Sequence, residues 1–134
     1  MSVELDECMR QLRDHSAVLF GRHRAALGFT RTASLDLASV RNELFVTAHG
    51  AAYVWRRLDG QTTIHAIVSE ARGEGSLLLA RLIADSRSRG QTQLLAKCPA
   101  DLPANAWYAR RGFVLAGTEA GKRRPLNLWR LALG

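Results

Sequence analysis

The sequence predicts a mixed α/β fold, one sheet covered by helices, on three observations. Strand-like runs follow one another between residues 44 and 68 with only turn residues between them, as antiparallel hairpins require. Beyond Gly75 the strand-like runs alternate with amphipathic stretches of helical period, the pattern of helical crossovers. Strands joined first by hairpins and later by helices imply a sheet of mixed direction. Finally, 134 residues, 47% hydrophobic and 23% charged, suffice for one continuous core and not for two. Residues 1–134 are therefore expected to form a single domain.

Each element has its own warrant. Residues 4 to about 27 read as helix, because Leu5, Cys8, Met9, Leu12, Val18 and Leu19 recur at helical spacing and Gly28 supplies a stop. A shorter helix spans 34 to about 42, where Leu35, Ala38 and Val40 precede a change of period. Strands at 44–48, 52–57 and 62–68 follow, punctuated by Gly50 and the Asp59-Gly60 pair. Leu78, Leu79, Leu82 and Ile83 form the apolar face of the next helix, with Arg81, Asp85 and Arg89 turned from it and Gly90 ending it. Residues 92–98 read as a buried strand and 99–103 as a loop in which Asp101 is placed to cap the helix that follows. Pro103 suits that helix's first turn and Gly112 its end. Residues 113–118 and 126–133 close the chain as two strands.

Composition excludes several classes. No apolar run approaches the roughly 18 residues of a membrane helix, and the acidic start lacks a signal-peptide layout. Cys8 and Cys98 have no metal-type spacing, and the four histidines do not form a metal site. The expectation is a cytoplasmic protein with reduced thiols and no metal. Nineteen basic residues, seventeen of them arginine, against twelve acidic ones give a net charge of +7. The guanidinium fork suits phosphate oxygens, but these arginines are spread along the whole chain rather than gathered into a nucleic-acid arm. The charge permits an anionic ligand and argues against a strongly polycationic substrate.

Two stretches carry chemistry. Ile67-Val68-Ser69-Glu70-Ala71-Arg72-Gly73-Glu74-Gly75-Ser76 leads from a strand through a glycine-containing turn into an amphipathic helix. A helix N-terminus presents unpaired N–H groups and partial positive charge, and glycines let phosphate oxygens approach the backbone. Ala104-Asn105-Ala106-Trp107-Tyr108-Ala109-Arg110-Arg111-Gly112-Phe113 is a helix with a tyrosine near its end, followed by Gly-Phe at the next strand.

In these two motifs, and in the one helix and one strand between them, residues 65 to 133 resemble the GNAT superfamily of N-acetyltransferases. Residues 1–60 fit by element order alone. The resemblance implies a central mixed, mostly antiparallel sheet with helices on both faces, and acetyl-CoA as co-substrate. It implies that Arg72, Gly73, Glu74, Gly75 and Ser76 cradle the pyrophosphate and that Ile67, Val68 and Ser69 pair with the pantetheine arm as an added strand would. Asn105 would hold part of that arm, and Tyr108 would protonate the departing thiolate. The family's loop places Arg or Gln, two residues, Gly, one residue, then Gly or Ala. Counted from Arg72, Gly75 fits and Leu77 does not; counted back from the helix, Gly73 and Gly75 fit and Glu70 stands in place of Arg or Gln.

His65, between Ile64 and Ala66, is the candidate base for an attacking amine, with Glu70 as its rival. His15, His23 and His49 have no partner spacing and read as surface residues. Cys98 reads as a packed thiol, Trp107, Phe113, Trp55 and Trp129 as packing aromatics, and Lys122-Arg123-Arg124 as a solvated turn. The expected activity is acetyl transfer from acetyl-CoA to a primary amine of a small molecule or peptide by direct attack. The alternatives are an inactive GNAT-like binding module and a basic nucleic-acid-associated protein. Membrane and nucleic-acid partners are not expected, and a homodimer is left open.

Overall fold

The computed structural model describes residues 7–27, 31–56 and 60–134. In chain order the elements are α1 (Glu7–Arg22), α2 (Arg24–Leu27), α3 (Thr32–Val40), β1 (Leu44–Thr47), β2 (Gly50–Arg56), β3 (Gln61–Ser69), α4 (Glu74–Ser88), β4 (Gln93–Pro99), α5 (Ala104–Arg110), β5 (Val114–Ala120) and β6 (Pro125–Ala132). The strands form one six-stranded sheet in the order β1-β2-β3-β4-β6-β5. β3 and β4 run parallel, while β1–β2, β4–β6 and β5–β6 are antiparallel. The expected mixed, mostly antiparallel sheet is the one observed. Two compact units divide the chain, one of residues 1–55 and 66–82, the other of 56–65 and 83–134.

In the first unit, α1 and α3 lie on one face of the sheet. Leu19, Phe20, Leu35 and Ala38 pack with Ala51, Tyr53, Ala66 and Val68, and the Phe20 and Tyr53 rings meet edge to face at 5.6 Å. An ion pair from Arg13 Nη1 to Asp36 Oδ1, 2.8 Å, adds a polar tie between the two helices. α4 lies on the other face: a Cβ at Gly50 would stand 2.9 Å from Leu78 Cδ1 and 3.0 Å from the Val68 carbonyl. Gly50 is thus required by close approach, not by backbone conformation. It opens β2 rather than forming the turn, since Thr47 pairs with Gly50 and Ala48-His49 make a two-residue hairpin.

In the second unit, β4 lies between β3 and β6. Thr62, Ile64, Leu94, Ala96, Cys98, Trp129 and Leu133 are buried there, and the Ser86 hydroxyl of α4 donates to Thr62 Oγ1 at 3.2 Å. Thr62 of this unit faces α4 through that bond. The parallel ladder to β4 runs from Gln61↔Gln93 to Ile64↔Ala96.

Helix ends explain most boundaries. α3, α4 and α5 each end with the six-to-one bond of a Schellman cap: Glu43 N–H to Ala38, Gln91 N–H to Ser86 and Phe113 N–H to Tyr108. Asn42, Gly90 and Gly112 hold the positive φ that each cap needs. The long first helix expected from periodicity is divided at His23, whose N–H turns to the Phe20 carbonyl, two residues beyond helix-weakening Gly21. Its expected ends, residues 4–6 and Gly28, lie outside the described residues, as do Arg57 and Asp59. Asp101 does not cap α5: its carboxylate bonds Arg124, and α5 has no side-chain cap.

Gly50→Ala should lower stability by about 1–3 kcal/mol, the usual cost of forcing a methyl into a filled interior. Urea unfolding measures this, and a variant as stable as the parent would show that β2 and α4 can separate freely.

Candidate functional site

The donor-loop residues lie together in the first unit. β3 ends at Ser69, and residues 70–73 turn directly into α4. Gly73 takes φ +88°, a conformation costly for any residue with a Cβ, and a Cβ there would have no atom within 4 Å. Of the two sequence alignments of this loop, backbone conformation therefore favours the one that counts back from the helix. The turn is held from inside by the Ser69 hydroxyl, which donates to the Ala71 carbonyl at 2.8 Å, and by the Glu74 N–H to the same carbonyl at 3.2 Å. The first α-helical bond runs from Leu77 N–H to the Gly73 carbonyl, so the Gly75 and Ser76 amides precede it, as helix geometry dictates. Arg72 is exposed.

Both carboxylates of this loop have protein partners. Glu70 Oε2 lies 3.0 Å from His23 Nε2 and 3.4 Å from Arg22 Nε. His23, expected to be a surface residue without a partner, is thus tied to the loop, and Glu70 is engaged in an ion pair. Glu74 Oε2 accepts from Thr47 Oγ1 at 2.9 Å and from the His49 N–H at 2.8 Å. Neither the Glu74–Thr47 pair nor the role of the His49 peptide has a sequence signal, because both depend on a hairpin folding back beside a helix.

Asn105 and Tyr108 lie together on α5 in the second unit. The Asn105 amide donates to the carbonyls of Pro99 and Leu102, both at 2.8 Å. Its oxygen accepts from Asn127 Nδ2 and Trp129 Nε1, both at 2.9 Å. Two donors and two lone pairs exhaust the hydrogen-bonding capacity of a primary amide. Asn105 therefore joins α5 to the end of β4 and to β6, and no sequence signal marks Asn127 or Trp129 as its partners. One turn on, Tyr108 is buried, with its ring 5.2 Å from those of Trp107 and Phe113 and 6.5 Å from Trp129. Trp107 itself is only half-buried, with the Arg111 guanidinium over its ring at 5.4 Å. Burial pushes the Tyr108 phenol well above its ordinary range, and the neighbouring Cys98 thiol pushes it the same way. Burial likewise raises Cys98, with Arg124 and Asp101 as opposing smaller influences. The phenol thus keeps its proton throughout the neutral range.

His65 is in the same unit. Its side chain is exposed, and partial desolvation against the strand, with a smaller contribution from Lys97, lowers it below its ordinary value of 6.5. The imidazole is neutral at pH 7 and can accept a proton. Several arginines are held in ion pairs: Arg56 and Arg89 with Asp85, Arg124 with Asp101. Trp55 is 47% exposed. Among the described residues no group of His, Cys, Asp or Glu has metal-ligand geometry, and no helix is long and apolar enough to cross a membrane.

A mixed six-stranded sheet with this strand order, a strand–turn–helix unit after β3 and a capped tyrosine helix after β4 define an acyltransferase-type α/β fold. It is the fold of the GNAT N-acetyltransferases. Ard1 from Thermoplasma volcanium superposes with a TM-score of 0.77 at 14% identity, over 91% of this chain and 91% of that one. The aminoglycoside 6′-N-acetyltransferase of Enterococcus faecium gives 0.75 at 14% identity, over 97% and 95%. YncA of Salmonella typhimurium, solved with its cofactor acetyl-CoA, gives 0.67 at 20% identity, over 95% and 87%. No protein-family profile matches the chain, and neither does any curated protein sequence.

Asn105→Ala removes four hydrogen bonds and strands the indole N–H of Trp129 and the amide of Asn127. A loss of about 2–4 kcal/mol in chemical unfolding is expected. A loss under about 0.5 kcal/mol would mean that solvent replaces these bonds at no cost.

Proposed function

We propose that residues 1–134 act as one acetyltransferase domain that moves an acetyl group from acetyl-CoA to an amine by direct attack. The observation that carries this reading is the β3–turn–α4 unit, where a positive-φ glycine and the first amides of a 15-residue helix stand at the end of a central strand. Helix amides and their partial positive charge suit a pyrophosphate, and the open space at Gly73 suits close approach. The residues present therefore fit the donor. Acetyl-CoA, when bound, supplies an acetyl group activated as a thioester.

The residue roles follow from their chemistry. The amides of Gly75 and Ser76, with exposed Arg72, bind phosphate oxygens. Ile67, Val68 and Ser69 offer backbone groups beyond the end of the β3–β4 ladder, as an added strand requires. His65, neutral at pH 7, takes the proton of the attacking amine. Tyr108 holds its phenol proton for the departing sulfur, and Asn105 positions Tyr108 by fixing α5. The acceptor is a small amine, an amino-acid amine or an amine on an anionic carrier, because a net charge of +7 disfavours the approach of a polycation.

Acetyl-CoA should raise the melting temperature, since a ligand that binds only the native state adds stability with concentration. Gly75→Asp, which places a carboxylate at the phosphates, should abolish the shift. A parent protein that shows no shift at millimolar acetyl-CoA would remove the donor assignment.

Tyr108→Phe deletes one hydroxyl and keeps the packed ring, so melting temperature and acetyl-CoA binding should persist. Single-turnover transfer to a competent amine should slow by about tenfold or more on loss of a general acid. An unchanged rate would leave Tyr108 as a packing residue and water as the proton source.

A further inference from the structure

We infer that Glu74 is a positioning residue for the donor loop, propping the start of α4 against the β1–β2 turn rather than meeting the phosphates with its side chain. The inference rests on the donor reading of residues 70–76 and names what holds that loop in its binding shape. A glutamate in the first turn of a helix commonly turns back to the free amides of its own helix. Glu74 instead reaches across to β1, where the Thr47 hydroxyl donates at 2.9 Å and the His49 N–H at 2.8 Å. The Thr47 hydroxyl also lies 3.3 Å from the Gly50 carbonyl. Its single proton goes to the nearer, charged acceptor.

The peptide groups flanking this contact fix both ends of the loop to the same turn. The His49 carbonyl accepts from the Glu70 N–H at 2.7 Å, so residue 49 holds Glu70 through its oxygen and Glu74 through its nitrogen. Arg81, two turns along α4, donates to the Val46 carbonyl at 3.3 Å and attaches the helix to β1 at a second point. His15 of α1 donates through Nε2 to the Thr47 carbonyl at 3.1 Å and holds the turn from the other side. Gly50 completes the arrangement by letting β2 pass within contact of Leu78. With the Glu74 carboxylate engaged on β1, the first-turn amides of α4 are left for an anion. Released, that carboxylate is free to fold back onto them and compete with phosphate.

Two substitutions separate this role from its rivals. Glu74→Ala removes both struts and should raise KM for acetyl-CoA about tenfold with kcat within about twofold, since a displaced anchor weakens binding of the donor and leaves the reacting groups in place. Glu74→Gln keeps an oxygen that can accept from Thr47 and His49, and should restore KM to within about twofold of the parent. If Glu74 acted only by repelling phosphates, both variants would bind acetyl-CoA more tightly than the parent, and the inference would fail. It would also fail if Glu74→Gln were as impaired as Glu74→Ala, or if Glu74→Ala left KM unchanged. Thr47→Val, which deletes one strut with little change of volume, should raise KM less than Glu74→Ala. Hydrogen exchange at the His49 amide reads the strut without any ligand and should accelerate by about tenfold in Glu74→Ala. A parent protein that does not bind acetyl-CoA while this acceleration is observed would overturn the donor reading and leave the strut intact. Unaltered exchange in a folded variant would overturn the strut itself.

Discussion

One residue, His49, fixes through its backbone N–H and carbonyl the geometry on which the candidate donor site depends. A short turn between a strand and a helix has few internal bonds, and here residues 70–73 contribute only two or three of their own. Without outside support such a segment would sample several shapes, and each would aim the α4 amides differently. The His49 carbonyl takes the Glu70 N–H and its N–H meets the Glu74 carboxylate, so one rigid hairpin sets both ends of the turn. The hairpin can serve because it is two residues long and because Gly50 allows close contact with α4 and β3. Local chain geometry, close packing and site shape are therefore one constraint, imposed where β1 turns into β2.

The second unit solves a comparable problem with a different device. Tyr108 occupies the position three residues before the cap of α5, and the Phe113 N–H bonds its carbonyl while the two rings pack at 5.2 Å. The Tyr-to-Gly-Phe spacing is thus first a way of ending a helix. A phenol held there by cap, packing and the saturated Asn105 amide has little rotational freedom. Burial that fixes the ring also raises the phenol, and partial desolvation lowers the exposed His65. The same desolvation keeps a donor protonated and an acceptor neutral, because in both groups it disfavours the charged form.

Charge is less a binding surface than the count of arginines suggests. Arg13 holds α1 to α3, Arg56 and Arg89 share Asp85, Arg87 donates to the Leu133 carbonyl and Arg124 meets Asp101. Arginine suits these tasks because its planar fork can bond carbonyls and carboxylates while its stem packs. The exposed pairs contribute little stability each; their effect is to orient elements and to draw positive charge away from the surface.

The sequence by itself determined the order and type of the elements, since hydrophobic period and punctuating glycines are local properties of the chain. It located the two motifs, and the positive φ at Gly73 and Gly112 shows why glycine stands at each. It did not determine the division of the first helix at His23 or the partners of Glu70, Glu74, Asn105 and Asp101. Those are contacts between residues far apart in the chain, and a polar side chain carries no local signal of which distant donor will reach it. Asn105 shows the limit. The family resemblance implied a contact with the pantetheine arm, and no local signal announced that the fold surrounds its amide with two carbonyls, an indole and a second amide. Only the tertiary structure could decide that, because hydrogen-bonding capacity is finite and is allotted by whatever packing brings within 3 Å.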